Sequence, residues 1–142
     1  MEHEENARGP EGSDKPVRRD LGDRLLQYAV GVVRLAEKLS RTFACKHVRN
    51  QLLRCGTSSG ANYEEAQGAE SRTDFVHKLQ IALKEMRESN YWLRLIAASG
   101  MLPESAVATL LDESSQLRAI LSKSVATAKG QRPKPRRPKP EA

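Results

Sequence analysis

The sequence predicts an all-α protein, an antiparallel up-down-up-down four-helix bundle with disordered tails. In four successive segments, apolar residues recur at alternating spacings of three and four, which is the period of a helix with one buried face. Short links join the segments, and short links favour antiparallel neighbours. No segment alternates apolar and polar residues with period two, so no sheet is predicted.

Composition divides the 142-residue chain into three parts. Residues 1–19 and 130–142 contain almost no large apolar side chains, so neither can bury enough surface to offset the entropy lost on ordering. Both are predicted to be disordered tails, around a four-helix bundle over 20–129. The chain carries a formal net charge of +6, and the proline-rich C-terminal tail supplies most of it.

The first helix is predicted over 20–41. Asp20 is its predicted N-cap, and residues 40–47, "SRTFACKH", are predicted to form the following turn. The apolar stripe of this helix consists of Leu21, Leu25, Tyr28, Val32, Leu35 and Leu39.

The second helix, predicted over 46–69, contains an unusual stretch, "LRCGTSSGANYEEA", at 53–66. Its small residues are poor helix formers, yet the apolar period continues through them. They therefore predict close approach of a neighbouring helix, with hydroxyls bonded to carbonyls one turn earlier. The predicted stripe consists of Val48, Leu52, Cys55, Ser59, Asn62, Ala66 and Ala69.

The third helix is predicted over 71–99 and the fourth over 103–129. Ser71 is the predicted N-cap of the third helix, and Gly100 follows its end. Pro103 is placed in the first turn of the fourth, which Lys129 and Gly130 close.

Enzymatic interpretations of "GTSSG" are disfavoured. No strand precedes it, as a nucleophile elbow requires, and Ala61 stands where a phosphate-binding loop needs lysine. The three histidines show no motif spacing, and the two cysteines form no zinc or disulfide pattern. We therefore expect no catalytic residue, no metal site and no cofactor. With neither an apolar span nor a signal peptide, the chain is expected to be cytoplasmic and not membrane-bound.

Basic side chains are the candidate nucleic-acid contacts, because phosphate binding is driven by cations. Lys38 and Arg41 also suit the negative end of the first helix, so a structural role competes with phosphate binding. Glu65 and Glu88 either lie on a solvated face, or one of them pairs with an arginine across a seam between helices of the bundle or between subunits. The bundle candidates are Arg34, Lys38, Arg41, Lys46 and Arg49, and the tail candidates are Arg132, Lys134, Arg136, Arg137 and Lys139.

Residues 53–96 resemble a known family. "LLRCGTSSGANYEEA" and "DFVHKLQIALKEMRESNYWLRL" are similar to the four-helix-bundle proteins encoded within intervening sequences of bacterial 23S ribosomal RNA genes, which are related to the accessory variability proteins of diversity-generating retroelements. The resemblance implies a homopentamer without catalytic residues. The related accessory proteins have a basic surface and bind nucleic acid and a reverse transcriptase.

Two hypotheses of function follow. The first is a non-enzymatic oligomer that binds RNA or DNA, or a nucleic-acid enzyme such as a reverse transcriptase, through its basic surface and tail. The alternative is a protein-interaction scaffold without direct nucleic-acid binding. Steep salt dependence of binding distinguishes the first from the second.

Overall fold

The computed structural model describes residues 17–130, with side chains from Leu21 onward. It contains four helices: α1 at Val17–Glu37, α2 at Phe43–Gln67, α3 at Arg72–Ser99 and α4 at Glu104–Ala128. The predicted all-α fold is confirmed. Of the predicted tails, 1–16 and 131–142 lie outside the described residues. α1 begins at Val17 rather than 20, so Asp20 lies within the helix and is not its N-cap.

The helices form an up-down-up-down bundle. Each helix packs against the next in the chain, and α4 packs back against α1. On the surface, the guanidinium of Arg24 in α1 meets the carboxylate of Glu113 in α4 with two contacts of 3.0 and 3.1 Å. The fully buried side chains at the centre include Leu25, Val32, Leu52, Met86, Leu93, Ile96, Leu117 and Leu121.

The connection between α1 and α2 differs from the prediction. α1 ends at Glu37 rather than 41, and α2 begins at Phe43 rather than 46. Thr42 explains the early start of α2, because its backbone is extended and its hydroxyl accepts a hydrogen bond from the Cys45 amide at 3.3 Å. Leu39 continues the apolar period and is 3% exposed, but it reaches the core from the turn. The period therefore placed the end of α1 too late in the chain.

The stretch 53–66 lies inside α2, as predicted. Its glycines let α1 approach closely. A Cβ atom at Gly56 would lie 2.8 Å from a methyl carbon of Val32, and one at Gly60 would lie 3.3 Å from the Cβ of Leu25. The small residues are therefore required by helix–helix packing.

Three details of the α2 stripe differ from the prediction. α2 ends at Gln67 rather than 69, so Ala69 lies beyond the helix and is only half-buried. Tyr63 is 4% exposed, whereas the neighbouring Asn62 is only half-buried, because the larger apolar ring fills the space beside α1. The buried hydroxyl of Ser59 donates to the carbonyl of Ala82 in α3 at 2.8 Å, rather than to its own helix. Thr57 does bond back one turn, to the carbonyl of Leu53 at 2.6 Å.

The ends of α3 and α4 follow the predicted signals closely. The Ser71 hydroxyl accepts from the Asp74 amide at 3.1 Å, and Gly100 adopts the left-handed conformation with φ of 75°. Pro103 is the residue before α4 rather than its first helical residue, so α4 begins at Glu104. Gly130, with φ of 68°, follows the last turn.

A layer of polar side chains crosses the centre of the bundle. The Tyr28 hydroxyl is hydrogen-bonded to Ser89, and Asn90 Nδ2 donates to the Ser114 hydroxyl at 2.7 Å. Ser114 donates in turn to the carbonyl of Leu111 at 2.8 Å. Buried polar groups without partners are destabilising, so these bonds restrict the helices to one register.

Candidate nucleic-acid interface

Four of the predicted cations gather at one end of the bundle, which we call the basic end. It comprises the C-terminal ends of α1 and α3, the N-terminal ends of α2 and α4, and the turns between them. Two acidic residues, Glu37 and Glu104, belong to the same end. The four cations are exposed: Arg34 in the last turn of α1, Lys38 and Arg41 in the α1–α2 turn, and Lys46 in the first turn of α2.

These cations are available to a ligand. Within residues 21–130, no carboxylate lies within ion-pairing distance of Arg34, Lys38, Arg41 or Lys46. The first turn of α2 also contains no acidic residue. The partial positive charge of that helix end therefore adds to the field of the side chains.

Arg49, the fifth predicted cation of the bundle, is engaged in the fold. Its Nη1 donates to the carbonyl oxygen of Leu39 at 3.2 Å and lies 3.5 Å from that of Ser40. These carbonyls follow the end of α1, where helix geometry leaves acceptors without partners. Arg49 therefore closes the α1–α2 turn and has less freedom to reach a phosphate than Lys38, Arg41 or Lys46.

Several cations on the sides of the bundle form ion pairs instead. Arg54 of α2 bonds Glu85 at 3.1 Å and also bonds Glu88, both on α3. Lys78 of α3 lies 2.8 Å from the Glu65 carboxylate of α2. Of the two alternatives for Glu65 and Glu88, pairing across helices is thus observed, with lysine as the partner of Glu65.

Aromatic rings lie beside the cations, and sequence reasoning assigned the most exposed of them no role. Phe43, the first residue of α2, is 93% exposed. Tyr91 of α3 is 50% exposed, and the Arg94 guanidinium lies 6.0 Å from its ring centroid. Recognising Thr42 as an N-cap would have placed Phe43 on the first turn of α2, outside the core stripe.

The sole tryptophan holds this aromatic group together. Trp92 packs edge-to-face against His47 of α2, with centroids 5.8 Å apart, and against Tyr91, with centroids 5.2 Å apart. Its ring is half-buried, and its indole nitrogen is buried without a hydrogen-bond partner among residues 21–130. Trp92 thus positions its neighbours through packing and presents little surface of its own.

The residues considered for nucleophilic chemistry have structural contacts. The Ser58 hydroxyl accepts from Asn62 Nδ2 at 2.9 Å, and the Ser59 hydroxyl bonds the Ala82 carbonyl. Burial raises the pKa of Cys55 to about 12 and that of Tyr28 to about 12, so both stay protonated near neutral pH. A thiol of such high pKa is a poor nucleophile.

Cys45 has the opposite electrostatic environment. Two hydrogen bonds lower the pKa of the Cys45 thiol. The larger effect comes from the Ser40 hydroxyl, and the smaller comes from the Thr42 hydroxyl. The side chain is nevertheless buried. Its surroundings stabilise the α1–α2 turn, since Ser40, Thr42 and Cys45 share one set of hydrogen bonds.

The described residues form neither a metal-binding cluster nor a membrane-spanning helix. Between Leu21 and Gly130, no group of three histidine, cysteine, aspartate or glutamate side chains converges as a metal site would. None of the four helices has the apolar length that crossing a bilayer requires. The tail candidates Arg132, Lys134, Arg136, Arg137 and Lys139 lie outside the described residues and remain predictions.

Comparison with known proteins gives one family and a solved structure. A family model described as "23S rRNA-intervening sequence protein" matches residues 23–123. The crystal structure of a protein with unknown function from the S23 ribosomal protein family of Bacteroides thetaiotaomicron superposes with a TM-score of 0.69 and 35% sequence identity. The match covers 74% of this chain and 97% of that one. No protein of curated function matches the chain.

Proposed function

The chain belongs to the family of 23S rRNA-intervening sequence proteins, and from this premise we propose that it is a non-enzymatic oligomer that binds nucleic acid, RNA or DNA, through its basic end and its C-terminal tail. A nucleic-acid enzyme such as a reverse transcriptase is the proposed protein partner. One observation carries the proposal: Arg34, Lys38, Arg41 and Lys46 are exposed together and lack carboxylate partners among the described residues.

The electrostatics of the basic end suit phosphates better than a folded protein surface. Unpaired cations concentrated at one end, with a helix N-terminus among them, attract a polyanion at long range. Binding to phosphates releases condensed counterions, so affinity falls steeply as salt rises. The tail contributes five more cations within residues 132–139.

The tail gives the first test. Deleting residues 131–142 should weaken binding to a labelled RNA or single-stranded DNA by at least about tenfold at low salt, or about 1.4 kcal/mol. The slope of log affinity against log salt should become shallower, because fewer counterions are released. Fluorescence anisotropy over a salt series measures both quantities. The melting temperature should not change, because the deleted residues lie outside the four helices.

Two results would contradict this assignment. If the shortened chain binds as tightly as the full chain with the same slope, the tail takes no part and the basic end alone is responsible. If the full chain fails to bind either nucleic acid at low salt, the proposed function itself is wrong.

The proposed oligomer is a homopentamer. Five copies would present five basic ends and five tails to one ligand, which raises the effective concentration of each contact. Light scattering on the full chain should give about five times the 15.8 kDa mass of one copy. A mass of one copy across micromolar concentrations would rule the pentamer out, and a different multiple would correct its size.

The scaffold alternative has one observation in its favour. On α1, Leu26 is 59% exposed and Val33 is 40% exposed, and the two residues are seven apart on one face of the helix. Such a pair is typical of a surface that contacts another protein or another copy. Binding of a protein partner through this face should persist at high salt, unlike phosphate binding.

A further inference from the structure

No contact among residues 21–130 accounts for the exposed ring of Phe43. It is 93% exposed, the largest value among the exposed large apolar side chains between Leu21 and Gly130. The first turn of a helix favours acidic side chains, which interact with the helix dipole. An aromatic residue at this site therefore contributes little to folding.

Phe43 lies at the start of a row of rings, which we call the aromatic track: Phe43, His47, Trp92 and Tyr91. Phe43 and His47 are four residues apart on α2, so they share one face of that helix. His47 meets Trp92 edge-to-face at 5.8 Å, and Trp92 meets Tyr91 at 5.2 Å. The track thus runs from the first turn of α2 across to α3.

Two exposed rings of the track, His47 and Tyr91, are held in place by Trp92. Trp92 is half-buried and fixes His47 and Tyr91 by packing, while Arg94 lies 6.0 Å from the Tyr91 ring. Rings that are already fixed lose little conformational entropy when a ligand stacks on them. An arginine beside such a ring also offers a planar cation to a base or a phosphate.

Cations flank the track at its α2 end. Arg41 and Lys46 are exposed and lie two and three residues from Phe43, and Lys38 is exposed in the same turn. Proteins that bind single-stranded nucleic acid combine these two elements, with cations along the backbone and aromatic rings on which bases stack. A duplex offers its phosphates but keeps the faces of its bases stacked inside.

We infer that the aromatic track binds unpaired nucleotides, with bases stacked on Phe43 and Tyr91 while Lys38, Arg41 and Lys46 contact the phosphates. This inference rests on the proposed function and specifies its ligand as single-stranded nucleic acid. Stacking is tolerant of sequence, because every base has an aromatic face. The site therefore selects strandedness rather than sequence.

The test replaces Phe43 by leucine in the full chain. Leucine keeps an apolar side chain but removes the aromatic face, and the exposed position makes misfolding unexpected. Affinity for an oligouridylate and an oligothymidylate, each about 20 nucleotides long, should fall about five- to tenfold. Affinity for a duplex of equal length should not change. The salt slope should also stay the same, because no charge is removed.

Two control variants sharpen the measurement. Phe43→Tyr keeps the aromatic face and should bind the single strands as the native chain does. Ser122→Ala changes an exposed side chain on α4, outside the track, and should leave binding unchanged. Trp92, the only tryptophan, gives a second readout, since stacking on its neighbours should alter its fluorescence.

Three outcomes would overturn the inference. The first is a Phe43→Leu chain that binds single strands as tightly as the native chain. The second is an equal loss for single strands and duplex. The third is a changed light-scattering mass, which would assign Phe43 to a contact between copies. In each case, the proposed function would still stand if the native chain binds nucleic acid in a salt-dependent way. If the native chain binds no nucleic acid at all, both the proposed function and this inference are wrong.

Discussion

A Gly56→Leu protein is expected to unfold with a free energy about 1–2 kcal/mol below that of the native chain. A Cβ at position 56 would lie 2.8 and 2.9 Å from the two methyl carbons of Val32, which is completely buried. Val32 is β-branched and cannot rotate away freely. Overpacking of this kind costs about 1–3 kcal/mol or more. Leucine favours the helix more than glycine does, which offsets about 1 kcal/mol of the overpacking cost.

Urea denaturation followed by circular dichroism measures the change, and two variants control it. At Gly68→Leu, the added Cβ would have one neighbour within 4 Å, the Glu65 carbonyl oxygen at 3.8 Å, so the stability should change by less than about 0.5 kcal/mol. In a Val32→Ala background, Gly56→Leu should cost about 0.5–3 kcal/mol less than in the native chain. A Gly56→Leu chain of native stability would contradict the close α1–α2 packing.

Reversing three charges at the basic end should reduce nucleic-acid affinity by at least about 100-fold at low salt, or about 2.7 kcal/mol. The variant carries Lys38→Glu, Arg41→Glu and Lys46→Glu. Each change removes a phosphate contact and adds a repulsive charge. The salt slope should fall by about 2, because each lost contact with a single strand removes about 0.7 from it. Anisotropy titrations at several salt concentrations give both values.

The fold should tolerate these three substitutions. All three side chains are exposed, and Lys46 occupies the first turn of α2, where a glutamate interacts favourably with the helix dipole. The matched control reverses Lys84, Arg118 and Lys123, which are exposed on α3 and α4. Its formal charge change is identical. If both triple variants lose affinity equally, binding follows net charge and the basic end has no special role.

Much of the core could be predicted from the sequence, because one buried face per helix imposes the apolar period. The period alone does not show where a helix ends. Leu39 keeps the period although it lies in the turn, because a residue beyond the last helical turn can still reach the core. The structure settles the boundary through Thr42, whose cap begins α2 three residues earlier than predicted.

The apolar period also cannot show which of two adjacent residues is buried when both lie near the same face of the helix. Asn62 fits the 4-3 spacing, but the space beside α1 accepts the ring of Tyr63. Likewise, the bond from Ser59 to the carbonyl of Ala82 depends on how close α3 comes to α2. Such a distance is set by the packed bundle and is not readable from one helix.

For the candidate site, the cations could be identified from the sequence, but the groups that contact them could not. Charge along the chain identified Lys38, Arg41 and Lys46, which the antiparallel fold then keeps at one end. The engagement of Arg49 with carbonyls after α1 requires the turn geometry. The role inferred for Phe43 depends on the exposure of its side chain. The sequence placed Phe43 in a turn, and that placement does not show how exposed the ring is.

Photo-crosslinking is the most direct measurement of whether nucleic acid lies at the basic end. The full chain is bound to an oligonucleotide containing 5-iodouridine, irradiated and digested with trypsin, and the crosslinked peptides are identified by mass spectrometry. Cleavage after Arg41 and Lys46 isolates residues 42–46, which contain Phe43. We expect this peptide to carry the nucleotide, with a yield that falls in the Lys38, Arg41 and Lys46 triple variant. Crosslinks found only in other parts of the bundle, or no adduct above that of a protein that does not bind nucleic acid, would contradict the proposed interface.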